Sequence, residues 1–298
     1  MKFAKSYINR IAVTAIVAIA FISCKKDGNP NNLPDVNPAD YDGKIDGYTK
    51  SEDVFPESQV AYWGFENTPN EIVTGTAPTR TLNSTFVDGG VRGKALNLAA
   101  GFLYFNTQFP AFKTDALKSW TISAWVKLAN NGSKRTMLFQ NARPGQFNGN
   151  INFALNTNAF NAGNDSMLTI NPTFLTQNAG GLSTQDNLNN VLNKTNLKQW
   201  VHVALTYDYN TGTFNNYMNG VKVGNFPNRG VGNNLFKAWE PNTIIIGSNI
   251  NNIPPDAPPT ADVAFAPMTG QVDEIRVYNK FLGDAFIKAL YNLGKAGK

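Results

Sequence analysis

Hydrophobic and polar positions alternate with period two along several short segments of the chain. Between Trp120 and Lys127 the apolar set is Ile122, Ala124 and Val126, whereas Trp125 belongs to the opposite set. Segment 200–208 repeats the pattern, with its apolar set at Val201, Val203, Leu205 and Tyr207. Because successive side chains of a strand point to opposite faces, this alternation predicts strands that bury one face.

Turn signals join such strands into an antiparallel arrangement. Asn219-Gly220 suits a two-residue type I′ hairpin, because both central residues of that turn need a positive φ. The runs 243–247 and 270–278 predict further strands. One short helix is predicted from about Gly283 to Asn292, with Phe286, Ile287 and Leu290 on its apolar side. The predicted fold class is therefore all-β, a two-sheet antiparallel sandwich with a short C-terminal helix.

The first residues have the pattern of a secretory leader. Three basic residues precede an apolar run from Ile11 to Ile22, which is too short to span a bilayer as a helix. The run ends in Phe21-Ile22-Ser23-Cys24, which resembles the lipobox of bacterial lipoproteins, here of the Bacteroidetes type, in which the cysteine is lipidated and becomes the new N-terminus. The alternative is an ordinary signal peptide. Since Cys24 is the only cysteine, we favour a lipoprotein of the outer membrane, on its surface or its periplasmic face.

Composition divides the chain into three parts. We expect a signal peptide over 1–23, a flexible tether over 24–53, which is rich in Pro, Asn, Asp and Gly, and a single domain over 54–298. A chain with one cysteine forms no internal disulfide, so the domain needs a sizeable core. Without the three basic residues of the leader, 23 lysines and arginines face 21 acids. This near balance lacks the excess of basic residues that is typical of nucleic-acid-binding domains.

Five ordered motifs resemble the laminin-G-like branch of the concanavalin-A-like jelly rolls. They are WTISAWVK (120–127), WVHVALTYD (200–208), YMNGVKV (217–223), IIIGS (244–248) and GQVDEIRVYNKFLGDAFIKALYN (270–292). The resemblance covers roughly Val54 to the C-terminus and implies a two-sheet jelly-roll sandwich. It implies less about function, because this fold hosts lectins, adhesion modules, hydrolases and lyases.

The residues that catalysis would need are scarce. Hydrolases of the resembling superfamily carry a Glu-x-Asp-x-x-Glu run that places the carboxylates on one face of a strand. This chain has six glutamates, and none has an aspartate two positions later. The single histidine, His202, could act as a general base or be a packed residue of its strand, and we favour the packed alternative. We expect no enzyme, with a glycoside hydrolase or polysaccharide lyase as the weaker alternative.

A structural calcium ion is the one cofactor that the resemblance implies. Asp273 shares a strand face with Ile275 and Val277, so its carboxylate needs donors or a cation. In the resembling jelly rolls the aspartate of this last strand often binds Ca²⁺, and Glu66 would be the early contributor. The alternative is that Asp273 accepts backbone N–H groups from a neighbouring loop.

Aromatic and polar residues indicate a glycan as the ligand. Sugar-binding proteins stack ring faces on aromatic side chains and fix hydroxyls with rigidly placed polar groups. The candidate residues are Trp239, Tyr104, Trp125, Arg143 and Gln146. For Tyr104 and Trp125 the alternative is ordinary core packing.

These features lead to a functional hypothesis. We expect a cell-envelope lipoprotein that captures a glycan or polysaccharide on a concave sheet face or on rim loops. The alternative is an adhesion or structural module that binds a protein partner, such as another envelope protein. Membrane contact is expected through the lipid anchor only.

Overall fold

A computed structural model of the chain describes residues 42–130, 134–146, 148–157, 163–177, 183–188, 191–229, 239–254 and 263–298. Cys24 and the predicted signal peptide lie outside the described residues. Residues from Lys44 to Lys298 form one unit. None of the helices in the described part of the chain has the length and hydrophobicity of a membrane-spanning segment.

The described residues form fifteen strands, one α-helix and four short 3-10 helices. The strands are β1 (Gln59–Trp63), β2 (Arg80–Asp88), β3 (Lys94–Phe105), β4 (Trp120–Leu128), β5 (Thr136–Ala142), β6 (Ile151–Asn156), β7 (Met167–Ile170), β8 (Thr173–Gln177), β9 (Ser183–Asn187), β10 (Val191–Lys194), β11 (Val201–Asp208), β12 (Thr213–Met218), β13 (Val221–Phe226), β14 (Thr243–Ile246) and β15 (Met268–Tyr278). The helix, α1, spans Asp284–Lys295. The predicted helix is thus confirmed, with its C-terminal end three residues later than expected.

All strand pairs are antiparallel, and β3 belongs to both layers of the sandwich. Its first half pairs with β15 and its last residues pair with β14. The strand bends between these halves, where Ala100 has a positive φ of 54° and Gly101 lies against the backbone of β2. One layer, the helix-side sheet, contains β15, β4, β11, β12 and β13, and the second sheet contains β14, β5, β6, β7 and β10. The antiparallel β-sandwich predicted from the alternation is confirmed.

The core lies between the two sheets. The predicted inward sets are confirmed, because Ile122, Ala124 and Val126 of β4 and Val201, Val203, Leu205 and Tyr207 of β11 all belong to one buried cluster. Trp63 is fully buried there, with Phe105, Phe109 and Phe139 around it at ring-centroid distances of 5.7, 6.4 and 6.1 Å. Burial of these large rings stabilises the fold, because it removes apolar area from water.

Helix α1 covers the outer face of the helix-side sheet. Its apolar side chains Ile287, Leu290 and Leu293 pack with Ala204 and Tyr217 of that sheet in a second buried cluster. The helix ends at Lys295, so the sheet beyond its last turn is open on this side. A ligand could therefore reach the outer face of the helix-side sheet only beyond the end of α1.

Polar segments contribute to the fold at two places. The compact unit includes the residues from Lys44 onward, because Ile45 and Tyr48 pack against the α1 cluster and Glu52 forms ion pairs with the sheet. Segment 171–198 is polar in composition and contains β8, β9 and β10. Segments rich in asparagine and threonine can thus form strands when neighbouring strands supply the partners for their backbone hydrogen bonds.

Candidate functional site

A cleft of about 660 Å³ opens on the helix-side sheet beyond the end of α1. Its walls come from four places along the chain. These are the loop Gly89–Val91 between β2 and β3, the turn that precedes β11, the hairpin between β12 and β13, and the last turn of α1. A volume of this size is within the usual range of small-ligand sites.

Strand β4 forms the base of the cleft through Trp125 and Lys127. The alternation of the strand puts both side chains on the outer face, opposite the core set. The Trp125 ring stacks on Tyr291 of α1, with 5.6 Å between ring centroids and 19° between planes. Gly294 allows this contact, because a Cβ there would lie 2.7 Å from the Trp125 ring. Helix packing therefore fixes the position of the two rings.

Trp200 forms the opposite wall, at the entry to β11. Val201 pairs with Val126, so the register places Trp200 beside Lys127 on the same outer face. Its indole Nε1 donates a hydrogen bond of 3.0 Å to the carbonyl oxygen of Gly89, and the side chain is half-exposed. The bond fixes one edge of the ring and leaves part of its surface open to the cleft.

Asn219 contributes a polar group to the cleft from the β12–β13 hairpin. It has a φ of 51°, and its Oδ1 accepts the backbone N–H of His202 at 3.1 Å. The amide is thereby oriented, and its Nδ2 has no hydrogen-bond partner among the described residues. A donor held in this way suits a ligand hydroxyl.

Asp273 holds the loop that forms the wall next to Trp200. Its carboxylate is fully buried and accepts the backbone N–H groups of Val91 at 2.7 Å, Arg92 at 3.3 Å and Glu274 at 2.8 Å. Burial, with a smaller contribution from Glu274, raises the pKa of Asp273 to about 8. Asp273 is thus a positioning residue for the loop whose carbonyl oxygen anchors Trp200.

The contacts of Asp273 and Glu66 match the backbone N–H alternative rather than a calcium site. Both oxygens of Asp273 face N–H donors, which would repel a cation, and Glu66 accepts the N–H of Lys94 at 3.1 Å. The described ranges contain no group of three or more His, Cys, Asp or Glu side chains arranged to hold a metal ion. The donor set does not fit calcium, and the ion itself stays an untested prediction.

His202 lies beneath the cleft and is fully buried. Its Nε2 is 2.8 Å from the hydroxyl oxygen of Ser123, and the rings of Trp125 and Tyr291 cover it at centroid distances of 5.2 and 6.0 Å. No third member completes a catalytic triad, because Nδ1 has no partner in the described part of the chain. The geometry fits the packed alternative. Burial lowers the pKa of His202 to about 3.

The buried neutral imidazole predicts a loss of stability on acidification. Between pH 6.5 and 3 the unfolded chain binds a proton at His202 that the folded chain does not, so stability falls as the pH falls through this window. The contribution between pH 7 and pH 5 is about 2 kcal/mol. Denaturant titrations of wild type and His202→Gln at both pH values check it: the stability difference between the two proteins should shrink by this amount at pH 5. Parallel pH profiles would contradict the assignment.

A buried ion-pair network joins the same loop to the sheet and to the N-terminal segment. Arg276 contacts Glu274 at 2.6 Å and Glu52 at 2.8 Å, and Arg92 contacts Glu274 at 3.0 Å and Glu52 at 2.5 Å. Burial alone would raise the pKa of Glu52, but the bonds from both arginines outweigh it and lower that pKa to about 2. Tyr62 donates to Glu274 at 2.7 Å, and burial raises the pKa of Tyr62, so its hydroxyl stays protonated.

The five predicted glycan-binding residues lie in three different places. Trp125 is at the base of the cleft but is only 5% exposed, and Tyr104 is buried in a small cluster with Phe102 and Ile245 under Arg80. The other three lie at one end of the second sheet, where Arg143 is exposed and Trp239 and Gln146 are half-buried. The segment around Trp239 borders the β5–β6 loop, because its carbonyl oxygen accepts the side-chain amide of Asn150 at 2.8 Å.

The two rings that face the cleft, Trp200 and Tyr291, were missed in the sequence. Trp200 directly precedes Val201, which faces the core. Because successive side chains of a strand point to opposite faces, the sequence already places Trp200 on the outer face with Trp125. Tyr291 has no comparable signal, because its contact with Trp125 depends on where α1 docks on the sheet. The sequence predicted the outer-face tryptophan of β4 but not the neighbours that build the site.

The fold and the matched residues identify the family. Residues 104–288 match a laminin-G model described as the concanavalin A-like lectin/glucanases superfamily, which covers more than half of the chain. The chain belongs to this superfamily. No curated protein sequence matches the chain.

Solved structures of the same fold are distant in sequence. Domain 4 of AbnA, an extracellular GH43 arabinanase from Geobacillus stearothermophilus solved with arabinotriose, is 18% identical with a TM-score of 0.52, and the match covers 78% of this chain and 98% of that one. The binding domain of botulinum neurotoxin DC, solved with rat synaptotagmin II, is 13% identical with a TM-score of 0.51, over 79% and 51% of the two chains. The chain thus spans about half the length of the toxin domain. At these identities the similarity shows the fold alone.

The prediction that the chain is not an enzyme requires correction. A domain of an arabinanase has the same fold, and the description of the concanavalin A-like lectin/glucanases superfamily names glucanases beside lectins. The missing Glu-x-Asp-x-x-Glu run removes one arrangement of acids only. Its absence therefore does not exclude catalysis for this member of the superfamily.

Proposed function

We propose that this chain is an envelope lipoprotein whose cleft beyond α1 binds a glycan. The observation that carries the proposal is the pair of half-exposed rings, Trp200 and Tyr291, on a cleft that also presents the Asn219 amide and lysine side chains. Rings fixed by a hydrogen bond and by helix packing offer sugar faces a contact area with little loss of conformational entropy.

The comparisons support a binding role of this kind without naming the ligand. AbnA domain 4 was solved with an oligosaccharide, and the toxin domain was solved with a protein.

The exposed large apolar residues of the described ranges are Ile72, Val73, Leu82, Val221 and Val263. A stable protein interface buries about 800 Å² per partner around an apolar or aromatic centre. Since the clustered aromatic rings lie in a cleft rather than on such a surface, we favour a glycan over a protein partner.

A lipid on Cys24 would hold this site at the cell envelope. Cys24 would carry the lipid, and the residues between Cys24 and Lys44 would link the folded unit to the outer membrane. Two or more acyl chains suffice for firm anchoring. A surface-bound or periplasmic domain of this type would hold a polysaccharide close to the membrane.

Trp200→Ala tests the proposed site. The detergent-solubilised full chain is screened on a glycan array, and the affinity for the strongest ligand is then measured by calorimetry. We expect Trp200→Ala to weaken that affinity about 10- to 100-fold, because a central ring of a binding site is removed. Trp200→Phe should lose less, since it keeps a ring but not the bond to Gly89.

Trp239→Ala serves as the matched control at the other end of the molecule. It removes an indole of equal size outside the cleft and should leave the affinity unchanged. The proposal fails if no glycan is bound, or if Trp200→Ala binds as well as wild type. A loss confined to Trp239→Ala would move the site to the second sheet.

A further inference from the structure

We propose that the cleft selects acidic glycans, whose carboxylate or sulfate groups are held by Lys127 and Lys295. This inference rests on the proposed function and names the class of sugar that the same cleft would bind. It starts from the charges that line the cleft, which the proposed function by itself does not use.

The residues that line the cleft carry positive charge only. Among the described residues that line it, three are lysines and none is an acid. Lys198 forms an ion pair of 3.2 Å with Asp165, so its charge is partly neutralised. Lys127 and Lys295 form no ion pair within the described ranges. Two acids adjoin the Gly89–Val91 loop and both have partners: Asp88 pairs with Lys94 at 2.7 Å, and Asp273 is fully buried and accepts the N–H of Val91.

The two lysines without an ion pair come from different elements of the cleft. Lys127 extends from its base on β4, where it is half-buried, and Lys295 lies in the last turn of α1. The carbonyl end of a helix carries about half a negative charge, which a lysine in the last turn offsets. Neither lysine is paired with an acid among the described residues, so both ammonium groups remain available to a ligand.

The rings and the lysines suit the two parts of an acidic sugar. A uronic acid has an apolar ring face that stacks on an aromatic side chain and a carboxylate at the ring edge. Trp200 and Tyr291 provide the stacking surfaces, and the flexible ammonium groups of Lys127 and Lys295 reach the charged edge. A neutral sugar would leave both charges partly desolvated with no compensating partner. The site therefore favours a charged ligand.

The near balance of charge outside the leader, cleft lysines included, indicates that selectivity for acidic ligands depends on the cleft. Outside the leader, 23 basic residues face 21 acidic ones. Non-specific attraction of any polyanion needs a strong net charge or an extended basic surface. Binding is thus expected to depend on the cleft rather than on the overall field of the molecule.

The experiment compares matched acidic and neutral glycans. The detergent-solubilised full chain is placed on an array of uronic-acid polymers with their carboxyl-reduced forms, and of sulfated polymers with their desulfated forms. We expect the best acidic ligand to bind at least tenfold more tightly than its neutral counterpart. Lys127→Gln and Lys295→Gln should each weaken that ligand about three- to tenfold and reduce the dependence of affinity on salt. Lys118→Gln, an exposed lysine outside the cleft lining, is the matched control and should change neither.

The outcomes separate this inference from the proposed function. Equal binding of acidic and neutral partners, with Trp200→Ala still impaired, overturns the charge selectivity and leaves glycan binding in place. Acidic binding that is unchanged in both lysine variants also overturns it. If the protein binds no glycan on the array, the proposed function itself is overturned. Equal binding of duplex DNA and acidic glycan would show a general polyanion surface, which contradicts the inference.

Discussion

Replacing Arg276 with methionine should lower the free energy of unfolding by about 3 kcal/mol, the low end of the range for breaking a buried ion pair. The Arg276 side chain is 2% exposed and bonds Glu274, Glu52 and the side-chain oxygen of Gln59. Methionine fills much of the volume but leaves Glu274, itself 5% exposed, without its closest partner. The loss stays at the low end because Arg92 still contacts both glutamates.

A surface ion pair provides the control for Arg276→Met. Lys94 lies 2.7 Å from Asp88, whose side chain is 90% exposed. Lys94→Met makes the same chemical change where solvent screens the charges, so it should cost less than about 1 kcal/mol. Denaturant titrations of both variants measure the difference. If the two substitutions cost the same, the network does not contribute to stability through burial.

The second large effect is expected at Trp63. Trp63→Ala should lower the free energy of unfolding by about 3–5 kcal/mol, because it removes a fully buried ring and leaves a cavity. Phe105, Phe109 and Phe139 contact this ring in the described part of the core and would lose one face of their packing. The strands around the cavity are fixed by their hydrogen bonds and can close it only in part. Most of the decrease in unfolding free energy should therefore remain.

Val221 supplies the comparison for Trp63→Ala. It is 64% exposed in β13, and Val221→Ala should stay within about 0.5 kcal/mol of wild type. Thermal unfolding of the two variants shows which of them is less stable, and Trp63→Ala should have the lower unfolding temperature. A Trp63→Ala protein as stable as Val221→Ala would show that the aromatic cluster is not the centre of the core.

Much of the fold could be predicted because strands bury one face. The alternation in β4 and β11 gave the inward residues correctly, and Asn219-Gly220 gave the hairpin, where Asn219 has the positive φ that the turn requires. The strands of segment 171–198 could not be predicted. Their residues are polar, and their pairing depends on partners far away in the sequence.

The site was only partly predictable for a related reason. Trp125 was placed on the correct face, yet the docking of α1 covers one side of its ring and makes Tyr291 and Trp200 the accessible rings. Tyr104 alternates as an outer-face residue should, but loop residues Ile250 and Ile253 cover it in a separate cluster. Alternation gives the face of a sheet, whereas exposure depends on which helix or loop packs on that face.

The most direct test of this account is a crystal structure of the protein bound to the strongest ligand from the glycan array. We predict a sugar ring in contact with Trp200 and Tyr291, within reach of the Asn219 amide, and an acidic group near Lys127 or Lys295. A sugar bound instead beside Trp239, Arg143 and Gln146, with the cleft beyond α1 vacant, would contradict the account.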